Sequence, residues 1–275
     1  MMKILVAADM EGISGVVHWD QVDPKNSEYA RFRKLMTGDV NAAIRGAYDA
    51  GAKEVLVTDG HGGNRNILVE ELDPRGRLNT GGPSPWAMVQ GVDTGVSAAI
   101  FVGYHARAGS QNGILDHTWS SSSVAGVWLN GREAGEIGCN AALCGHFGVP
   151  VIMISGDQTA CAEAVELLGQ IETAVVKRAS GRMAAECLPP ETAQREIYEA
   201  AHRAVSRLHE GQAPPPLHLQ VPLTLTLELI RSDQADRASI LPGARRIGGR
   251  RIEMTTDDVP TGYRAFRAAV TLAGA

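Results

Sequence analysis

Apolar residues run unbroken from Ile4 to Ala8 and stop at two carboxylates, Asp9 and Glu11. A short continuous apolar run is the pattern of a strand covered on both faces, as in a parallel sheet. From 28 to 50 the spacing changes. Phe32, Leu35, Met36, Val40, Ala43, Ile44 and Ala47 recur at the helical period, with Ser27 where an N-cap belongs and Gly51 where a glycine ends a helix. A second apolar run, 54–58, leads into Asp59-Gly60-His61-Gly62-Gly63-Asn64. Strand, helix and strand in that order predict a parallel βαβ unit. Further strands are predicted at 98–103, at 124–129 with a turn at Asn130-Gly131, and at 149–154. Helices are predicted at 135–147, 159–168 and 191–209.

Pro214-Pro215-Pro216 then breaks the pattern and is the natural linker. Beyond it Val221, Leu223, Leu225, Leu227 and Leu229 alternate strictly, as on a half-buried strand; another strand is predicted at 247–254 and a closing helix at 263–272. The expected architecture is α/β. An open, mostly parallel sheet flanked by helices occupies 1–212, and a smaller C-terminal α+β unit occupies 213–275.

Composition narrows the classes of function. The 275 residues are 44% hydrophobic and 21% charged with a net charge of −5, ordinary for a soluble globular protein. No basic block interleaved with aromatics is present, so nucleic acid is not an expected partner. No apolar stretch approaches the ~18 residues of a membrane span, and no basic-then-apolar leader opens the chain. A cytoplasmic protein is expected. Cys139, Cys144, Cys161 and Cys187 show no Cys-x-x-Cys spacing and are expected to be buried free thiols.

While the chain stays extended, Asp9 and Glu11 project to one side. Two like charges at the end of a buried strand repel and lose hydration unless a cation lies between them. In an open α/β sheet, ligands collect beyond the carboxyl ends of the strands. There the first strand offers Asp9 and Glu11, the second His61, the third His105, and the start of a helix Glu136. Each has an ordinary alternative: solvated loop acids or a helix cap, a loop histidine, a hydrogen-bonded core histidine, a carboxylate complementing a helix dipole. Their convergence on one sheet end argues for a metal. Two histidines and three carboxylates suit zinc, and are too many for one tetrahedral ion. Two ions bridged by a carboxylate would use them all. The glycine-rich turn matches neither nucleotide fingerprint, and its glycines are expected to let backbone approach the metal site closely. His117 follows a polar stretch, 109–112, that could fold over the site. His18, His146, His202, His209 and His218 have no such context.

The ordered set Asp-Met-Glu-Gly-Ile-Ser-Gly at 9–15, Asp-Gly-His at 59–61, Gly-Tyr-His-Ala-Arg at 103–107, His117 and Gly-Glu-x-Gly at 135–138 resembles the DppA-type D-aminopeptidases. These are bacterial dinuclear-zinc peptidases. The resemblance runs from residue 1 past Gly156-Asp157 into the C-terminal unit. It implies two Zn²⁺ ions per chain on Asp9, Glu11, His61, His105 and Glu136. It implies His117 as the catalytic histidine, either proton shuttle or nucleophile, acting on short peptides with an N-terminal D-residue such as D-alanine. It also implies a ring-stacked homodecamer with active sites on an internal channel. One departure is Ala7, where the family usually has a serine that could support the site. Two rivals stay open. One is a dinuclear hydrolase of another small amide or a phosphoester, with Arg107 the cation nearest a ligand motif. The other is a non-enzymatic peptide-binding protein linked to transport, which would need neither the ligand set nor His117. Chirality, exopeptidase action and the decamer follow from the resemblance alone.

Overall fold

The computed structural model describes residues 2–275. In chain order it contains β1 (Lys3–Ala8), α1 (Tyr29–Asp49), β2 (Glu54–Asp59), β3 (Gly76–Asn79), β4 (Ala98–Tyr104), β5 (Val124–Leu129) and β6 (Arg132–Ala134). There follow α2 (Glu136–His146), β7 (Val151–Asp157), α3 (Gln158–Leu168), β8 (Glu172–Gly181), β9 (Ala184–Cys187) and α4 (Pro190–His209). The chain closes with β10 (Leu223–Leu229), α5 (Ser232–Ala238), β11 (Arg245–Arg246), β12 (Arg251–Thr256) and α6 (Val259–Gly274).

Seven strands form one sheet in the order β3-β2-β1-β4-β7-β8-β9, parallel except for β9. Alternate residues of β1 serve two cores. Ile4, Val6 and Ala8 pack with α1 and α4, while Leu5 and Ala7 pack with α2, α3, α6 and the second sheet. This double coverage is why the strand reads as a continuous apolar run. The second sheet is antiparallel, β11-β12-β10-β5-β6, and the alternating leucines of β10 turn one face inward. The 213–275 segment does not supply that sheet alone, because β5 and β6 pair beside β10.

From β1 the chain winds outward through α1 to β2 and β3, then returns to place β4 on the other side of β1. The carboxyl ends of β1 and β4 therefore flank the switch in winding direction, where such sheets open a crevice. The two ends meet closely at Gly12, where an added Cβ would lie 1.9 Å from the Tyr104 carbonyl oxygen. Only a residue without a side chain fits.

The expected helices and buried strands are present, within four residues at each end. Gly51 ends α1 with φ +105°, but Glu28 rather than Ser27 is the N-cap. The strand expected at 247–254 is displaced: Gly248-Gly249 lie in a turn, and the strand proper is β12. β3, β8, β9 and α5 carry no clean period and were not expected; in β8 the apolar run is broken by Lys177 and Arg178. Among the described residues no helix is long and apolar enough to cross a membrane. The four cysteines are free, and burial pushes the Cys139 and Cys161 thiols up to about 12, so they stay protonated.

Candidate metal centre and active-site cleft

Asp9 and Glu11 follow β1, His61 follows β2, His105 follows β4 and Glu136 opens α2. All five meet beyond the carboxyl ends of the strands, and His117 meets them there. His61 Nδ1 is 2.9 Å from Glu11 Oε2 and 3.5 Å from Asp9 Oδ1. His105 Nε2 is 3.3 Å from Asp9 Oδ2 and 3.2 Å from Glu136 Oε1. His117 stacks on His105 with ring centroids 4.0 Å apart, and its Nε2 lies 3.7 Å from Glu136 Oε1 and 3.9 Å from Glu11 Oε1. Asp9, Glu11 and His105 form one group with donor atoms within 4.8 Å of one another, and His105, His117 and Glu136 form another.

The outer nitrogens of the histidines decide what the inner ones can do. His61 Nε2 lies 2.9 Å from the Val22 carbonyl, His105 Nδ1 3.0 Å from that of Ala106, and His117 Nδ1 2.9 Å from that of Leu115. A carbonyl only accepts, so each outer nitrogen carries hydrogen. Each neutral ring then aims a lone pair at carboxylate oxygens. Lone pair against lone pair, in a buried site, calls for protons or a metal cation. Asp9 Oδ2 and His105 Nε2 are buried without any hydrogen-bond partner. Burial acts against charge on both His61 and His105, yet the surrounding carboxylates outweigh it and hold both imidazoles well above their usual range. The same imidazoles overcome burial at Asp9 and Glu136 and hold those carboxyls below theirs. A divalent cation would replace those protons. The donor set, its burial and its orphaned atoms fit one.

Side chains that the sequence pattern did not single out hold this cluster in place. Lys177, fully buried on β8, donates to the carbonyls of Glu11 at 2.6 Å, Ile13 at 3.0 Å and Val16 at 2.7 Å, and so shapes the loop after β1. Burial pulls its amine down to about 8. No local pattern singles it out, since Arg178 follows it directly and β8 has no clean period. Asp39 on α1 accepts from the Ser14 amide and hydroxyl of the same loop. Asp59 accepts from the amides of Asn66 and Ile67 and ties down the turn that carries His61. In that turn Gly60 does approach β1 closely, its missing Cβ 2.8 Å from the Ala8 carbonyl, whereas Gly63 has ordinary space.

The 109–112 stretch is not a flap over the site. The Gln158 amide donates to the Asn112 carbonyl, Asp157 accepts from the Ile114 amide, and Arg182 donates to the Asp116 carboxylate and carbonyl. It is His117 that returns, between Leu115 and Trp119, both held at positive φ of 50° and 66°. Such backbone costs on the order of 1 kcal/mol or more per residue and persists here because Arg182 O accepts from Leu115 N and Glu136 Oε1 from Trp119 N.

The cluster forms the floor of a cleft of about 720 Å³. Trp19, Trp119, Met88, Arg264 and Arg267 are among its walls, none of them legible as such in the sequence. The side chains of His117 and His61 are 11% and 13% exposed, against 3% for those of Asp9 and Glu11, so the two histidines face the cleft most openly. Arg107 does not reach it. Its guanidinium pairs with Glu133 and Glu163 beside a separate depression, which removes the cation that a phosphoester reading relied on.

The D-aminopeptidase family profile matches residues 2–268. The chain belongs to that family. It is 36% identical over 276 residues to a D-aminopeptidase of Bacillus subtilis (strain 168), covering 99% of this chain and 98% of the relative. Its fold is similar to the solved structure described as the Zn-dependent D-aminopeptidase DppA from Bacillus subtilis, a self-compartmentalizing protease. The TM-score is 0.95 at 35% identity, over 99% of this chain and 98% of that one. Family membership makes the chain an aminopeptidase-type hydrolase and disfavours a purely binding role.

Proposed function

We propose that this chain is a zinc-dependent D-aminopeptidase that removes N-terminal D-residues, D-alanine first among them, from short peptides. The observation that carries the metal assignment is the set of three imidazoles whose inner nitrogens face buried carboxylates, with Asp9 Oδ2 and His105 Nε2 left unpartnered. On this reading Asp9, Glu11, His61, His105 and Glu136 hold two Zn²⁺ ions. Asp9 would lie between the two ligand histidines, its Oδ1 toward His61 and its Oδ2 toward His105. When bound, zinc supplies Lewis acidity, polarising the scissile carbonyl and making a water acidic enough to attack near neutral pH.

The chain's own groups do the rest. His117 donates from Nδ1 to the Leu115 carbonyl, which leaves the lone pair on Nε2, aimed at the cluster. From there it can take a proton and return it to the leaving amine, or attack the carbonyl itself. The walls around it, Trp19 and Trp119, limit water at the reacting bond. The preference for D-residues is supported by the relatives' descriptions as D-aminopeptidases, and a closed homo-oligomer by the description of one as self-compartmentalizing; that the assembly is a decamer rests on the family resemblance alone. A cytoplasmic location agrees with the absence of a membrane-spanning helix among the described residues.

Metal analysis of the purified protein together with matched D-alanyl and L-alanyl dipeptides tests the reading. About two zinc ions per chain and faster cleavage of the D-peptide are expected. Equal or faster cleavage of the L-peptide would leave a metallohydrolase without the proposed specificity; no bound metal would remove the proposed mechanism.

A further inference from the structure

The cleft lining carries both signs of charge: Asp9, Glu11 and Glu136 and, apart from histidines, Arg264 and Arg267 of α6. Arg264, Arg267, Ala268 and Thr271 recur at helical spacing, so one face of α6 forms this wall. The two arginines differ in their commitments. Arg267 Nη1 donates to the Ser84 and Pro85 carbonyls at 2.9 and 2.8 Å, and its guanidinium lies over Trp119 and Tyr263. It braces the wall. Arg264 is exposed, with its guanidinium carbon 5.6 Å from the centroid of Trp86, and among the described residues it makes no hydrogen bond and no ion pair. Asp258 influences it only through space, because that carboxylate caps α6 by accepting from the Thr261 amide at 2.7 Å.

We infer that Arg264 is a specificity residue that takes the free α-carboxylate of a short peptide substrate, an inference that rests on the peptidase reading above. A short peptide is a zwitterion. Its ammonium lies beside the bond to be cut, and its carboxylate lies only a residue or two beyond. The proposed metal centre fixes where the scissile bond lies, and a guanidinium without a partner in the lining of the same cleft matches the carboxylate. The planar fork of arginine receives a carboxylate through two parallel hydrogen bonds, and the Trp86 ring beneath limits the side-chain freedom lost on binding. A long or amidated peptide brings no carboxylate to this wall, so Arg264 selects for length as well as for charge.

The experiment uses D-alanyl-D-alanine and D-alanyl-D-alaninamide with the full-length wild type and Arg264→Ala. Values of kcat/KM are measured by release of alanine, and Kd by calorimetry. The wild type is expected to favour the free acid on the order of tenfold, the worth of a hydrogen bond between charged groups, with the difference in KM and Kd rather than kcat. Arg264→Ala should lose that preference, and Arg264→Lys should recover part of it. An acid-to-amide ratio that is the same in wild type and Arg264→Ala overturns the inference, and so does a wild type without preference. If the wild type cleaves neither peptide, the peptidase reading fails, and the calorimetric ratio alone decides the carboxylate subsite.

Discussion

Replacing Gly12 by alanine probes how β1 and β4 build the centre. Gly12 follows Glu11 directly, and its φ lies outside the left-handed region, so the penalty is steric alone. The new Cβ would lie 1.9 Å from the Tyr104 oxygen and 2.4 Å from the Gly103 carbonyl carbon, both main-chain atoms that cannot rotate away. Contacts under 3.0 Å are not sustained, so the two strand ends must part by more than about 1 Å. Glu11 sits on one side of that gap and His105 on the other, while a zinc site tolerates displacements of only about 0.2 Å. Overpacking of this kind costs about 1–3 kcal/mol. Weakening the hydrogen bond from Gly12 N to Gly103 O, now 2.7 Å, adds about 1 kcal/mol. The expected variant is about 2–4 kcal/mol less stable in urea melts, by those two contributions together. Even under conditions where it is fully folded, it should retain less than half the zinc and lose most turnover. Gly63→Ala is the control. Its Cβ would meet only the Arg65 side chain, at 3.5 Å, and its stability should stay within about 0.5 kcal/mol of the wild type. A folded Gly12→Ala protein with full zinc and full turnover would refute the claim that this close approach sets the site.

His117→Ala should keep zinc and fold, and lose activity by a factor on the order of 10²–10⁴; zinc lost with activity would make His117 a ligand, and no change in either would deny it a role. Burial holds the Asp39 carboxyl at about 6 against an ordinary 3.8, despite the Ser14 hydrogen bonds, so the folded protein binds the proton more tightly than the unfolded chain. Stability carried by this group is therefore highest below about pH 3.8 and falls by up to ~3 kcal/mol as pH rises to about 6. Asp39→Asn cannot ionise, and its stability relative to wild type should rise by that amount between pH 4 and pH 7 in urea melts; a flat difference would be contrary evidence. Light scattering should report a closed assembly several times the 29.2 kDa chain mass at micromolar concentration, and a monomer would rule out selection of small substrates by an internal channel.

Four residues of the candidate centre were legible along the chain for a simple reason. A parallel sheet brings successive strand ends to one edge, so Asp9, Glu11, His61 and His105 needed only their positions after apolar runs to be placed together. The βαβ order, the buried strands and the leucine alternation of β10 are likewise local patterns, fixed by side-chain period. Other features have no local period to betray them. Lys177 matters because β8 lies against the loop after β1, 161 or more residues earlier in the chain. Arg264 faces the cleft because α6 folds back across the molecule, and His117 faces the carboxylate–imidazole cluster because Asp157, Arg182 and Glu136 hold strained backbone on either side of it. Residue type and spacing determined which groups can bind metal. Long-range packing alone decided their tautomers, their distances and the arginines that share their cleft, because those depend on atoms supplied by distant segments of the chain.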